Sequence, residues 1–316
     1  MAGFPAMSIM IVLGATLRGA GDTRSPLIVA LAANVLNVFL DYAMIFGKFG
    51  FPEMGAVGAA LATVISRVVG SIIIVILLFR NRRISISKRP QRFSKWLIKE
   101  IFVLGLPAAV ENFGFSFGVL VFANILFIAG PQAYAAHRIG IQVESLSFMP
   151  AWGMGVAVTA LVGIYNGGKK RRLSIGVVRQ GWFIALGISS IIGMAITLFP
   201  DLFISIFTNE AALIEEGRLP VRIIGLFQVV MGTDYAVTGA LRGMGDTAFP
   251  MKASLVAMWL IRLPVGFVLV RYLDLGLFGA WIGMMADMAF RTTLKFIRFY
   301  SGKWESTADS IQARSN

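Results

Sequence analysis

No cysteine occurs in this chain, and histidine occurs once, as His137. The first absence excludes disulfides, thiolate metal sites and cysteine nucleophiles. The second leaves a histidine-built metal centre without ligands. Charge is scarce too, at 14% of residues where ordinary soluble domains carry roughly 25%. Acids are the scarcest, with 16 Asp and Glu against 29 Lys and Arg. What fills the sequence instead is apolar, 57% of residues, with a mean hydropathy of +0.78. Runs of about 20 apolar residues, enough to cross a ~30 Å hydrocarbon layer as helix, recur along the whole length. The reading is an integral all-α membrane protein, because a helix satisfies its own backbone hydrogen bonds in lipid.

About nine transmembrane helices are expected, near residues 4–17, 26–46, 54–79, 101–128, 134–164, 178–199, 219–240, 249–270 and 276–298. The first is short for a span. It lacks the basic flank of a secretory signal, and Pro5 stands where that flank would be. Lys and Arg cluster in alternate loops: at 18–24, 80–99, 169–179, 242–252 and 291–314, with only Lys48, Arg138, Arg218, Arg222 and Arg271 on the opposite side. The positive-inside rule turns the basic loops, and the C-terminus, to the cytoplasm of a cell (inner) membrane. The same asymmetry accounts for the net charge of +13. The basic residues flank spans and form no single stripe, so nucleic acid is not a partner.

The turn LRGAGDTRSP at 17–26 returns as LRGMGDTAFP at 241–250. Gly19, Gly21, Gly243 and Gly245 permit tight backbone, Asp22 and Asp246 can cap the following helices, and Pro26 and Pro250 stand in their first turns. The stretch is a poor phosphate cradle, with no preceding strand and no P-loop lysine. An even number of spans separates the copies, so the repeat is parallel with a six-span unit. GAVGAA at 55–60 is likewise answered by GLFGAW at 276–281. The expected organisation is an incomplete N-terminal lobe of about three spans (1–79), a basic cytoplasmic linker (80–100), a complete six-helix C-terminal lobe (101–300) and a cytoplasmic tail (301–316). Symmetry would then place three more spans upstream of Met1.

Together with these turns, NVFLDY at 37–42, LGLPAAVEN at 104–112 and the long AHRIGIQVESLSFMPAWGMGVAVTALVG at 136–163 make the chain resemble the multidrug and toxic compound extrusion family along essentially its whole length. The resemblance implies two six-helix lobes around a central cleft, and export of organic cations by alternating access driven by proton or sodium. This chain would correspond to the end of the fourth span through the twelfth. No cofactor is implied beyond the coupling ion. The acidic residue that the family carries on its first span has no counterpart here.

Ionisable groups deep in spans are costly and therefore functional candidates. Asp41, Asn37 and Asn34 stand at i, i−4 and i−7 and share one helix face. A carboxylate with two amides can bind a proton or hold sodium through oxygen ligands; no other metal site is expected. Hydrogen bonding to a neighbouring helix is the plainer role for Asp41. The resemblance matches Asn37 and Asp41 to the family's N-lobe cation site, and implies a C-lobe cation site in some members on the spans carrying Glu111 and Asp234. Glu144 is a cleft candidate, with a structural role facing another helix as its alternative. Asp287 stands four residues before Arg291, the spacing of an internal ion pair. Arg67 and Arg262 need partners. His137, beside a short outer loop, is read as an interfacial helix start.

Gly58, Ala62, Ser66 and Gly70, and Ala151, Gly155, Thr159 and Gly163, recur every fourth residue as small-residue stripes on which helices approach closely. The function expected is a secondary active multidrug or organic-cation efflux antiporter, in truncated form. The alternatives are a lipid-linked saccharide flippase, which a cleft rich in cations would favour, and a nontransporting remnant or scaffold. An intramembrane enzyme is not expected, because no nucleophile, base or metal constellation is present. The orientation is directly testable in a chain without native cysteine. Lys169→Cys should react with an impermeant maleimide in inverted vesicles but not in intact cells, and Arg271→Cys should do the reverse.

Overall fold

The structure is a computed structural model that describes residues 3–80, 94–302 and 304. Most of the expected linker (81–93) and tail (303 and 305–316) lies outside the described residues. Among the described residues the secondary structure is entirely helical. The helices are α1 (Phe4–Gly19), α2 (Arg24–Ile45), α3 (Gly55–Arg80), α4 (Lys95–Ile128), α5 (Pro131–Gly167), α6 (Arg171–Leu198), the short α7 (Pro200–Ser205), α8 (Ala211–Gly243), α9 (Ala248–Val256), a π-helical turn (Ala257–Arg262), α10 (Leu263–Arg271) and α11 (Gly276–Tyr300). Seven stretches are long and apolar enough to cross a membrane: α2, α3, α4, α5, α6, α8 and the continuous Ala248–Arg271. Of the nine expected, α1 falls short at 16 residues. The 25-residue α11 is long enough but carries Asp287, Arg291, Lys295 and Arg298.

The π turn has a local cause. Pro264 has no N–H to give to the carbonyl four residues earlier, and a widened turn ahead of it absorbs the mismatch. Arg262 closes that turn.

The chain divides into two compact units, Met1–Arg92 and Phe93–Asn316. In the first, α3 packs on both α1 and α2. Its stripe of Gly58, Ala62, Ser66 and Gly70 is buried, as the spacing predicts. A Cβ at Gly70 would lie 2.8 Å from the Met10 sulfur, and one at Gly58 would meet the Met44 backbone. In the second unit α8 is the hub, packed on α5, α6 and α11. Ala151 and Gly155 of the α5 stripe are buried there, whereas Gly163 is exposed. A Cβ on Gly155 would stand 2.8 Å from the Tyr235 carbonyl oxygen, and one on Gly243 would stand 2.7 Å from that of Thr159. Small residues on both helices let the backbones approach this closely.

The two repeated turns fold alike. Asp22 N–H donates to the Leu17 carbonyl and Asp246 N–H to that of Leu241, each at 2.9 Å. Gly21 and Gly245 take φ of 81° and 88°, a left-handed conformation that glycine adopts without strain. Each aspartate then accepts the N–H three residues on, from Ser25 at 3.0 Å and from Phe249 at 3.3 Å, capping the next helix. Gly55 and Gly276 open α3 and α11 with the same φ of 51°. Aligned from these glycines, Ser66, Gly70 and Ile74 of α3 correspond to Asp287, Arg291 and Lys295 of α11. Aligned from the turns, Met10 of α1 corresponds to Asp234 of α8.

The charged stripe of α11 is buried by pairing across helices. Arg262 reaches Asp287 Oδ2 from Nη2 at 2.5 Å and from Nε at 2.9 Å, and Arg298 Nε reaches Asp246 Oδ2 at 2.9 Å. The expected i, i+4 pair of Asp287 with Arg291 is therefore not formed, and Arg291 turns to Asp234 instead. An intrahelical pair would draw Asp287 away from Arg262, whose guanidinium is buried and would cost most if left unpaired. Arg67, by contrast, has no ion pair among the described residues and is half-buried. Arg262→Met should destabilise the chain by about 3–5 kcal/mol, and combining it with Asp287→Leu should recover most of that loss. Thermal unfolding in detergent measures both.

Candidate functional site

In the first unit, α2 carries the predicted trio on one side. Asn37 and Asp41 are half-buried and Asn34 is exposed. Two atoms of the trio, Asn37 Nδ2 and Asp41 Oδ1, are out of reach of solvent and have no hydrogen-bond partner among the described residues. A buried polar atom left unmatched costs about 1–3 kcal/mol, and functional sites are where such a cost persists. Together they present one donor and one acceptor a helical turn apart.

The second unit brings its predicted residues into one charged network. Asp234 of α8 is 4% exposed and meets two cations of α11: Lys295 Nζ lies 2.9 Å from Oδ1, and Arg291 Nε lies 3.6 Å from Oδ2. Thr292 Oγ1 donates to the same Oδ1 at 3.3 Å. Glu111 of α4 receives Arg242 Nη2 of α8 at 2.7 Å. Phe115, one helical turn along α4 from Glu111, lies under both Arg262 and Arg291, 5.3 Å and 5.8 Å from their guanidinium carbons. Ring faces attract such cations. Glu144 of α5 is half-buried, makes no ion pair among the described residues, and lies in the fields of Arg262 and Arg291. The site thus joins Glu111, Glu144 and Asp234, while Asp41, Asn37 and Asn34 belong to the other unit.

Three expectations change here. Arg291 and Lys295, read from sequence as cytoplasmic-side charges, are buried, Lys295 to 2% exposure. The deep ionisable groups are not mostly acids: buried Arg262 pairs with Asp287, and Arg291 and Lys295 share Asp234. His137 is buried in the core, where Nδ1 accepts Trp281 Nε1–H at 3.1 Å. The overlooked cations did leave a trace, since 287, 291 and 295 repeat every fourth residue along one face of an otherwise apolar helix.

The family profile MatE matches residues 107–268. The chain is 54% identical over 310 residues to the probable multidrug resistance protein NorM of Thermotoga maritima, covering 98% of this chain and 66% of that protein. It is 30% identical to a protein of the same designation from Photorhabdus laumondii, over 93% of this chain and 66% of the relative. The chain therefore spans just under two thirds of the length of these relatives. Among solved structures, a MATE crystal structure in the bent conformation superposes with a TM-score of 0.86 at 23% identity, covering 98% of this chain and 68% of that one. Another, a MOP superfamily transporter from Pyrococcus furiosus described as having a reversed binding-pocket polarity, superposes at 0.83 with 22% identity. The helical fold, the charged interior and these matches lead to one conclusion: the chain belongs to the multidrug and toxic compound extrusion (MATE) family of membrane transporters.

Proposed function

We propose that this chain carries the ion-coupled part of a multidrug efflux antiporter in the cell membrane, exporting organic cations in exchange for protons or sodium, with its C-terminus in the cytoplasm. The observation that carries the proposal is the unmatched carboxylate oxygen on α2, Asp41 Oδ1, which is buried and has no hydrogen-bond partner among the described residues. A coupling ion must bind and leave in each cycle, so its site has to spend part of that cycle unsatisfied. Asp41 supplies the charge that a proton or sodium ion neutralises, and Asn37, with Asn34 one turn further, supplies amide oxygen. The carboxylates of the second unit play a different part. Glu111 and Asp234 already hold cations of the protein itself, and Glu144 stands in the same network without an ion pair.

In this reading residues 1–79 are the incomplete N-terminal lobe, 80–100 the basic linker, 101–300 the six-helix C-terminal lobe and 301–316 its tail, and the division between the two compact units at 92/93 falls within that linker. The names of these two relatives speak for drug export and not for flipping a lipid-linked saccharide. With the complete protein in proteoliposomes, Asp41→Asn should reduce ion-driven ethidium efflux to the rate of protein-free vesicles. Glu53→Gln, on the loop before α3, should leave it unchanged. Undiminished efflux by Asp41→Asn would remove Asp41 from the coupling site.

A further inference from the structure

Inside the second unit, Arg242, Arg262, Arg291, Lys295 and Arg298 each lie against a carboxylate of the protein. The basic end of α6 is built differently. Residues 169–172 read KKRR, Arg179 follows two turns into the helix, and residues 145–200 contain no Asp or Glu. Arg172 and Arg179 are exposed, and neither makes an ion pair among the described residues. Seven residues apart, they share one helix face about 10 Å apart along the axis. The opposite face is the packed one, with Ser174, Val178 and Gly181 buried. Ile175 and Phe183 lie on the outward side with the arginines, 45% and 54% exposed. The Arg179 guanidinium carbon stands 5.9 Å from the centre of the Phe183 ring. In a membrane-spanning helix such a face meets lipid. A guanidinium two turns inside the helix is costly there without an anion, although its flexible stem can carry it back to headgroup level. The protein offers no carboxylate along this stretch, so the anion within reach is a lipid phosphate.

We propose that Arg172 and Arg179 form a binding site for an anionic phospholipid, holding its phosphodiester between their two guanidinium groups while an acyl chain lies along Ile175 and Phe183. The planar guanidinium fork donates parallel N–H bonds that match phosphate oxygens. Arg172 approaches from the headgroup side and Arg179 from the hydrocarbon side. Gly176 stands between them, and a Cβ there would meet nothing within 4 Å, so the phosphate has room against the helix. Two cations around one phosphodiester leave the site positive. A lipid whose headgroup carries its own ammonium would bring a third cation to it, whereas phosphatidylglycerol brings none. Lys169 and Lys170 precede the helix and draw anionic lipid to the surface, and Arg171 is engaged elsewhere, over the Trp304 ring at 5.2 Å.

The test uses the full chain purified in a nonionic detergent and reads stability, so it is independent of any coupling role for Asp41. Dioleoylphosphatidylglycerol at about a hundred times its Kd should raise the melting temperature by about 5 °C, and dioleoylphosphatidylcholine should not. Arg172→Gln with Arg179→Gln alters only exposed side chains, so without added lipid it should melt like the unaltered chain, yet it should lose most of the rise. Lys169→Gln with Lys170→Gln removes the same charge from the neighbouring loop and should keep most of it. Glycerol 3-phosphate, which carries the phosphate without acyl chains, should give no rise. A second measurement locates the lipid. In a chain without native cysteine, Gly176→Cys introduces one thiol between the arginines, and phosphatidylglycerol should slow its alkylation by N-ethylmaleimide where phosphatidylcholine does not. An equal rise with phosphatidylcholine or with glycerol 3-phosphate would overturn the proposal, as would alkylation of Gly176→Cys unchanged by phosphatidylglycerol. Equal losses in the two double variants would do so too, because they would mean diffuse attraction to a basic surface.

Discussion

A carboxylate taken out of water into a helix bundle is held most cheaply beside a cation, and α11 supplies that cation for Asp234 and Asp246. The idealised cost of moving such an ion into a medium of low dielectric is of order 20 kcal/mol, and several kcal/mol remain after relaxation. That constraint organises the second unit. Asp287 is matched by Arg262, Asp234 by Lys295 and Arg291, and Asp246 by Arg298. The pairs tie α11 to α8, to the π turn and to the repeated loop. A helix too polar to be counted as a membrane span on composition is buried along one face because each charge has a partner on another element.

The first unit solves the same packing problem without charge. Its counterpart of α11 is α3, whose buried stripe of Gly58, Ala62, Ser66 and Gly70 lets neighbouring helices approach closely. Its acid stands elsewhere, on α2 at Asp41, a place that corresponds to Val265 in the second unit. The repeat therefore preserves backbone features, the left-handed Gly21 and Gly245 and the capping Asp22 and Asp246, while chemistry is distributed differently in each copy. One unit keeps an unmatched carboxylate, whereas the other keeps carboxylates that are already occupied.

Much of the architecture was legible in the residues themselves. Span length follows from the thickness of the hydrocarbon layer, small-residue stripes follow from a period near four, and the repeated LRG-x-GDT turn declares itself by identity. The membership of the family was carried by the segment at 136–163, and the profile match over 107–268 overlaps that segment. The candidate acids Glu111, Glu144 and Asp234 were visible as isolated charges in apolar surroundings. Their partners were harder to see. Lys295 and Arg291 sit near the end of the last span, where a positive charge usually marks the cytoplasmic side, and that rule hid their burial.

The sequence by itself determined the solvent, the helical class, the parallel repeat and the positions at which helices could touch. These are properties of composition and of one-dimensional period, and they need no knowledge of which helix lies beside which. Only the tertiary structure decided that Arg291 leaves Asp287 for Asp234, that Arg262 takes its place, and that Asn37 and Asp41 keep unmatched atoms. Pairing across helices depends on which faces meet and at what depth. Spacing along a single helix carries no record of that, because an intrahelical partner four residues away is always available in sequence and is used only when no buried charge elsewhere needs it more.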